Sequence, residues 1–162
     1  MKNKLFIKTA LLVLFCACCA APKSQASPLS LANFKLGYAK TSPKTIDSSS
    51  SIDLGWTPKL DLLLFVLRGE IGAFAAKRSA NSSFLISNYE VLGGIRLLPG
   101  LIFEAGGGLQ NWHGEGGVFP VATGGVVLNL GTALDRLYFN YCYAFNKNNE
   151  TKILKLGIGL NL

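Results

Sequence analysis

The chain has 162 residues, a formal net charge of +7 and 49% apolar residues. Four of its lysines (Lys2, Lys4, Lys8 and Lys23) precede residue 27 and no acid does, so the remainder carries a formal charge of only +3. That modest charge gives no argument for binding nucleic acid. The longest unbroken apolar run in the remainder is Leu62–Leu67, far below the ~20 residues of a membrane-spanning helix.

The first 26 residues predict a secretory signal peptide. Its three leading lysines precede the apolar run 10–21, and Ser24-Gln25-Ala26 has the small residues of a cleavage site. Lipidation at Cys18 is an alternative, although Phe15-Cys16-Ala17 is a poor lipidation sequence. Three of the four cysteines lie in this segment, so Cys142 alone remains and cannot form an intramolecular disulfide. We therefore expect one mature domain, residues 27–162.

Apolar residues alternate with small or polar residues along the mature chain, which predicts eight β-strands. Their approximate bounds are 31–40, 50–58, 61–76, 83–97, 100–112, 118–130, 135–146 and 152–162. Polar connections at one end of the strands are expected at 41–51, 78–82, 113–117 and 146–150. Shorter connections at the other end are expected near 99–100, 131–133 and 57–59, the last being either a tight turn or an irregularity near one.

The last segment shows the alternation most clearly and predicts how the fold closes. Leu154, Leu156 and Ile158 share one face, whereas Lys155 and Gly157 share the other. A strand of this kind pairs with the first strand and removes both sheet edges. The fold class is therefore predicted to be all-β: a single closed antiparallel up-and-down eight-stranded transmembrane β-barrel.

The two faces of the strands differ in side-chain size, which indicates which face is inside. Large apolar side chains occupy one face, and the other carries Gly, Ala, Asn and a few charges. A soluble lipid-binding barrel needs a charged exterior, whereas this polar face is too poor in charge for that role. We therefore place the small polar face inside a membrane barrel. The predicted interior charge network comprises Lys35, Asp53, Arg68, Glu70, Glu90, Arg96, Glu104, Arg136 and Lys155.

An eight-stranded barrel is only wide enough for side chains to fill its interior. Unpaired charges there are costly, so the interior charges should pair with one another. Arg68 and Glu70 are expected to face Glu90 and Arg96 on the next strand, with Glu104 one strand further. This arrangement predicts a packed polar interior, and a gated ion path through it is the alternative.

The sequence predicts no catalytic, cofactor-binding or metal site. His113 is the sole histidine, and no serine lies at close sequence spacing to act as a nucleophile with it. We interpret His113 as a polar loop residue beside Trp112, which is expected at the membrane interface. The glycines at 106–108 match no phosphate-binding motif and are assigned to strand bending and close packing. Cys142 shares the inward face with Asn140 and should only fill space.

The chain resembles the small OmpA/OmpX-type outer-membrane β-barrel proteins. The resemblance is carried by the signal peptide and by the segments 54–56, 67–72, 103–108 and 156–162. It implies a non-enzymatic integral protein of the bacterial outer membrane with a structural or surface-interaction role. It also implies contact with outer-membrane lipids and lipopolysaccharide, and with the barrel-assembly machinery during biogenesis. The external partner is not identified by the sequence. The alternatives are a lipid-modifying hydrolase of the lipid A deacylase type and a soluble periplasmic lipid-binding barrel.

Overall fold

The computed structural model describes residues 29–43, 48–79, 82–114, 117–130, 134–145 and 150–161. The predicted signal peptide lies outside these ranges, as do the centres of several predicted loops: 44–47, 80–81, 115–116, 131–133 and 146–149. Within the described residues, no helix is both long and apolar enough to span a membrane.

Ten strands make up the described part of the chain. In chain order they are β1 (Leu29–Ser30), β2 (Asn33–Pro43), β3 (Ser49–Trp56), β4 (Lys59–Leu62), β5 (Phe65–Ser79), β6 (Ser82–Leu98), β7 (Leu101–Trp112), β8 (Gly117–Asn129), β9 (Leu134–Ala144) and β10 (Thr151–Asn161). Two pairs of these strands are halves of longer ones, because β1 leads directly into β2 and β3 leads directly into β4. The barrel wall therefore consists of eight antiparallel strands.

The wall is closed by the pairing of the last long strand with the first. Leu160 of β10 lies opposite Phe34 of β2, and Leu156 lies opposite Tyr38. The remaining pairs join β1 to β4, β2 to β3, β3 and β4 to β5, and then each long strand to the next as far as β10. The predicted all-β, closed, eight-stranded antiparallel barrel is confirmed. We call the end containing Leu29 and Leu160 the terminal end, and the opposite end the loop end.

The prediction of one continuous strand over 61–76 is wrong. The chain instead turns at Leu63 and Leu64, so that β4 and β5 form a hairpin. Leu63 has φ 51°, a left-handed conformation that leucine rarely adopts, and the apolar run contains no turn residue that would reveal it. Arg96 holds this turn, because its guanidinium Nη1 donates to Leu63 O (2.9 Å) and its backbone N–H donates to Leu64 O (2.8 Å).

The segment around 57–59 is an irregularity within a strand and not the turn that the sequence also allowed. Pro58 interrupts the ladder because it has no backbone N–H to donate. Its carbonyl nevertheless accepts the N–H of Gly69 (2.8 Å), and Thr57 N–H reaches Asn33 O (2.8 Å). Strands β3 and β4 therefore continue one another on either side of Pro58.

The outward face of the barrel is apolar and the inward face holds the charges. Exposed large apolar side chains occur on every long strand; examples are Leu36, Leu54, Leu67, Val91, Phe103, Val118, Phe139 and Ile158. This pattern is the reverse of a soluble lipid-binding barrel and matches that of a transmembrane barrel. The predicted inward position of Cys142 is also confirmed, since this free cysteine is fully buried.

Two apolar layers fill parts of the barrel interior. The loop-end layer packs Trp112 against Phe84 and Phe119, whose ring centroids lie 5.6 and 5.0 Å from the Trp112 ring. Its other members are Ala39, Phe74, Ala76, Ile86, Val121, Cys142, Ala144 and Ile153. The prediction that Trp112 lies at the membrane interface is therefore wrong: the even residues at the end of β7 face inward, and Trp112 is only 4% exposed. The terminal-end layer comprises Val66, Ile102, Val127 and Tyr138.

Candidate functional site

A layer of buried charges lies between the two apolar layers. Its members come from β2, β3, β5, β6, β7 and β10, and each is less than 7% exposed. We define the charged layer as Lys35, Asp53, Arg68, Glu70, Glu90, Glu104 and Lys155. With three cations and four carboxylates, its formal charges are nearly balanced.

Glu70 is the centre of the charged layer. Its Oε1 accepts hydrogen bonds from Lys35 Nζ (2.5 Å) and Lys155 Nζ (3.1 Å), and its Oε2 accepts one from Arg68 Nη1 (2.7 Å). Asn88 Nδ2 adds a fourth donor at 3.2 Å from Oε1. One buried carboxylate is therefore held by three cations from three different strands, which ties β2, β5 and β10 together across the interior.

Arg68 and Glu104 form the second strong pair in the layer. The guanidinium binds both oxygens of Glu104, with Nε at 3.0 Å from Oε2 and Nη2 close to Oε1. This two-point geometry is the strongest form of an arginine–carboxylate contact. Asn140 Nδ2 also donates to Glu104 (2.9 Å), and Arg68 lies 4.8 Å from the centre of the Tyr138 ring. Arg68 thus contacts both the charged layer and the terminal-end apolar layer.

Glu90 and Asp53 complete the layer through the two lysines. Lys155 Nζ lies 2.6 Å from Glu90 Oε1, and Thr123 Oγ1 donates to Glu90 Oε2 (2.5 Å). Lys35 Nζ lies 2.8 Å from Asp53 Oδ2. Each lysine therefore bridges Glu70 to a second carboxylate. Such shared pairing offsets the cost of burying four carboxylates close together in the interior.

The nine charged residues that the sequence predicts to lie in the interior fall into two groups in the structure. Seven form the charged layer, and Glu70 faces Glu90 across β5 and β6 as expected. Arg96 does not join them: it is half-buried near the terminal end, and its Nη2 lies 2.7 Å from Asp61. Arg136 also binds Asp61 (3.2 Å).

Lys59 and Asp61 were missed by the sequence reasoning. Lys59 Nζ lies 3.6 Å from Asp61 Oδ2, which makes Asp61 the common partner of three cations at the terminal mouth. Their inward positions are missed because the sequence indicates a possible turn at 57–59 and a following strand at 61–76. With β4 placed correctly, the parity of Lys59 and Asp61 would have predicted their inward position.

Small residues on the inward face provide the space for these side chains. A Cβ atom on Gly157 would lie 3.0 Å from Lys35 Cγ, and one on Gly159 would lie 2.9 Å from the Tyr138 ring. A Cβ on Gly125 would lie 2.8 Å from Asn140 Oδ1. At Gly106 and Gly108 a Cβ would overlap the backbone of the neighbouring strand β6. The assignment of these glycines to close packing is therefore supported by what surrounds them.

His113 has a partner that sequence spacing did not reveal. Its Nε2 lies 2.9 Å from Oγ of Ser87, a residue 26 positions earlier on the neighbouring strand β6. The contact is at the loop end of the barrel, and its residues face outward. A serine hydroxyl beside an imidazole is the first requirement of nucleophilic ester hydrolysis, which further needs an orienting acid. Within the described ranges, no carboxylate binds His113.

Comparison with known proteins identifies the fold. No protein-family model and no curated protein matches the sequence. Among solved structures, Ail, the attachment invasion locus protein of Yersinia pestis, matches with a TM-score of 0.58 and 13% identity over 83% of this chain and 99% of its own. Neisserial surface protein A matches with a TM-score of 0.55 and 10% identity over 84% of this chain and 100% of its own. Ail has also been solved in complex with the heparin analogue sucrose octasulfate.

A designed transmembrane β-barrel is similar as well, with a TM-score of 0.50 and 13% identity over 85% of this chain and 98% of its own. At sequence identities this low, the likeness shows a common fold alone. The chain therefore has the fold of the small eight-stranded outer-membrane β-barrels.

Proposed function

We propose that this protein is a non-enzymatic integral barrel of the bacterial outer membrane that does not conduct ions and that presents its loop end to the outside. An even number of strands puts both termini at one end, which in this class of protein is the periplasmic end. The proposed surroundings are outer-membrane lipids and lipopolysaccharide. Residues 1–26 would act as the export signal, and the barrel-assembly machinery would insert the mature chain.

The observation that carries the proposal is the enclosure of the charged layer between two apolar layers. A conducting pore needs a continuous path lined with solvated groups. Here Trp112, Phe74 and their neighbours fill the loop end of the interior, and Val66 and Ile102 fill part of the terminal end. In between, the charged groups bind one another. Both features support a stable barrel that is closed to ions and whose function depends on its surface.

Planar-bilayer recording and cell fractionation test this proposal. We expect purified, folded protein to show no steady conductance and to remain in the washed outer membrane. We also expect unheated protein to migrate differently from heated protein on a gel, as folded barrels of this kind do. A reproducible steady conductance would contradict the closed interior, and recovery from the soluble periplasm without detergent would contradict the membrane location.

The lipid hydrolase alternative has one specific observation in its favour, the contact between Ser87 and His113. The decisive experiment is to incubate the purified protein with lipid A and with a long-chain nitrophenyl ester. We expect neither substrate to be deacylated. Hydrolysis that is abolished by Ser87→Ala and His113→Ala, in protein that still folds, would establish the alternative.

A further inference from the structure

The charged layer contains one more carboxylate than cations. Glu70 is shared by three cations, Glu104 is bound by Arg68, and Glu90 is bound by Lys155. Among the described residues, the one cation in contact with Asp53 is Lys35, which Asp53 shares with Glu70. The surplus negative charge therefore lies nearest to Asp53, where a buried charge without a full partner is costly.

Two buried oxygen atoms beside this surplus charge have no hydrogen-bond partner among the residues that the structure describes. They are Asp53 Oδ1 and Ser51 Oγ. Asp53 is 0% exposed, and the two residues are both inward-facing because they are two positions apart on β3. Residues with this spacing are separated by about 7 Å along a strand. Their side-chain oxygens can therefore approach one small ligand from two sides.

The side chains next to this pair cannot supply the missing donor. Gly37 lies opposite Asp53 and Ala39 lies opposite Ser51 on β2. On the other side, Phe74 of β5 lies opposite Asp53. None of these three side chains has a polar atom. The two oxygens therefore depend on a partner that the neighbouring strands do not provide.

A line of hydroxyl groups leads from this pair towards the loop end. Ser49 follows Ser51 on the inward face of β3, and its Oγ lies 2.5 Å from Thr41 Oγ1. Ser49 Oγ also accepts the backbone N–H of Lys77 (3.0 Å). These hydroxyls are already paired, in contrast to Ser51. They give one side of the loop-end apolar layer a polar lining along which a small hydrated ion can approach Asp53.

Two cations close the other side of the site. Lys35 Nζ lies 2.8 Å from Asp53 Oδ2, and Lys35 is one inward position nearer the terminal end than Gly37, the residue opposite Asp53. Arg68 follows, and the terminal-end apolar layer lies against it through the Tyr138 ring. Both cations repel a further cation. An ion that enters from the loop end is therefore held at Asp53 and does not cross the barrel.

The charge and the ligands of the site suit a monovalent cation. The surplus to be neutralised is one negative charge. Within the described ranges, no group of three or more histidine, cysteine or acidic residues is placed to hold a metal ion. Divalent cations usually bind several carboxylate and carbonyl oxygens. A single carboxylate oxygen and a hydroxyl, with the ammonium group of Lys35 close by, therefore favour a single positive charge.

We propose that Asp53 Oδ1 and Ser51 Oγ bind one monovalent alkali cation inside the barrel. Asp53 supplies the charge and Ser51 supplies a neutral oxygen. The bound cation pairs two buried oxygens and neutralises the charged layer at the same time. Because the site exists only when β3 is paired in the barrel, the cation stabilises the folded state.

Urea unfolding of the mature barrel in detergent micelles measures this effect, since both ends of the barrel are then open to the buffer. Unfolding is compared in NaCl and in choline chloride at equal ionic strength and constant pH. A ligand that binds only the folded state lowers the equilibrium constant of unfolding. We expect this constant to be roughly tenfold lower at a Na+ concentration about ten times the Kd. Equilibrium dialysis with radioactive sodium gives the Kd and should show one bound ion per barrel.

Three variants identify the ligands. Asp53→Asn removes the surplus charge and should abolish the difference between the two salts. Its loss of stability should appear in NaCl and be much smaller in choline chloride, whereas a residue that served only as the ion-pair partner of Lys35 would cause the same loss in both. Ser51→Ala should weaken Na+ binding. Ser50→Ala, at the neighbouring exposed serine, should leave it unchanged.

Identical unfolding curves in the two salts would overturn the proposal, and so would an undiminished Na+ effect in Asp53→Asn. Stability that rises as the pH is lowered, with no effect of Na+, would assign the neutralising charge to a proton and would also overturn it. Crystals soaked in a thallium(I) salt test the location: we expect an anomalous peak between Ser51 and Asp53, and a peak elsewhere in the interior would overturn these ligands. If Asp53→Asn does not fold on the heat-shift gel, Ser51→Ala with Ser50→Ala as its control provides the comparison.

Discussion

The pair of Arg68 and Glu104 allows the energetic cost of the charged layer to be measured. In Arg68→Met, Glu70 keeps Lys35 and Lys155, whereas the partner that Glu104 keeps among the described residues is the amide of Asn140. Glu104 is then a buried carboxylate that has lost its cation. For this reason we expect Arg68→Met to lower the free energy of unfolding by about 3–5 kcal/mol. Glu104→Gln leaves Arg68 bound to Glu70 and should cost less, about 2–3 kcal/mol.

The double variant Arg68→Met/Glu104→Gln should lose less than the sum of the two single variants. The double variant removes both charges of the pair together. Its principal loss is the hydrogen bond from Arg68 to Glu70, which contributes about 1.5–3 kcal/mol to the free energy of unfolding. Unfolding free energies from urea titrations in lipid vesicles measure the difference. A matched control is Lys152→Met, which removes an exposed outward cation and should change stability by no more than about 0.5 kcal/mol. Additive losses, or no loss from Arg68→Met, would refute the claim that this layer is dry and mutually paired.

Three further predictions concern the wall, its closure and its terminal-end turn. Phe139→Arg puts a charge on the exposed lipid-facing side and should cost roughly 2–4 kcal/mol, whereas Phe139→Leu should cost little; equal urea midpoints would reject the assigned faces. Cysteines at positions 34 and 160, in a Cys142→Ser background, should crosslink rapidly because the two residues are opposite each other, and cysteines at 34 and 154 should not; the reverse result would disprove the register of closure. Leu63→Asn should stabilise the barrel by about 1 kcal/mol, since asparagine accepts the positive φ more readily, and a lower urea midpoint would contradict the turn geometry.

The fold was predictable because the alternation of apolar and polar residues is a local property of the sequence, and closure follows from a general physical argument. The parity of Lys155 and Gly157 against Leu154 and Leu156 is sufficient to assign inside and outside on β10, and the structure agrees. Closure followed from the cost of an open sheet edge in lipid, which applies regardless of side-chain identity. Neither inference requires knowledge of a contact between distant residues.

The turn at Leu63 could not be predicted for the opposite reason. The conformation of Leu63 depends on Arg96, 33 residues away, whose guanidinium and backbone bind the turn carbonyls. No local residue in the run of leucines indicates a reversal of direction. The contact between Ser87 and His113 could not be predicted for the same reason, since the two residues come together only through the pairing of β6 with β7.

The apolar layers were also missed, although parity contained the signal. Phe74, Ile86, Trp112 and Ile153 have the same parity as the charges on their own strands and therefore face inward. The charged residues alone predict an interior that is polar throughout, whereas the structure has a charged layer between two apolar layers. This difference matters for function, because ions that could cross a polar interior would have to leave water completely beside Trp112. The apolar layers, more than the ion pairs, are the reason to expect that the barrel does not conduct.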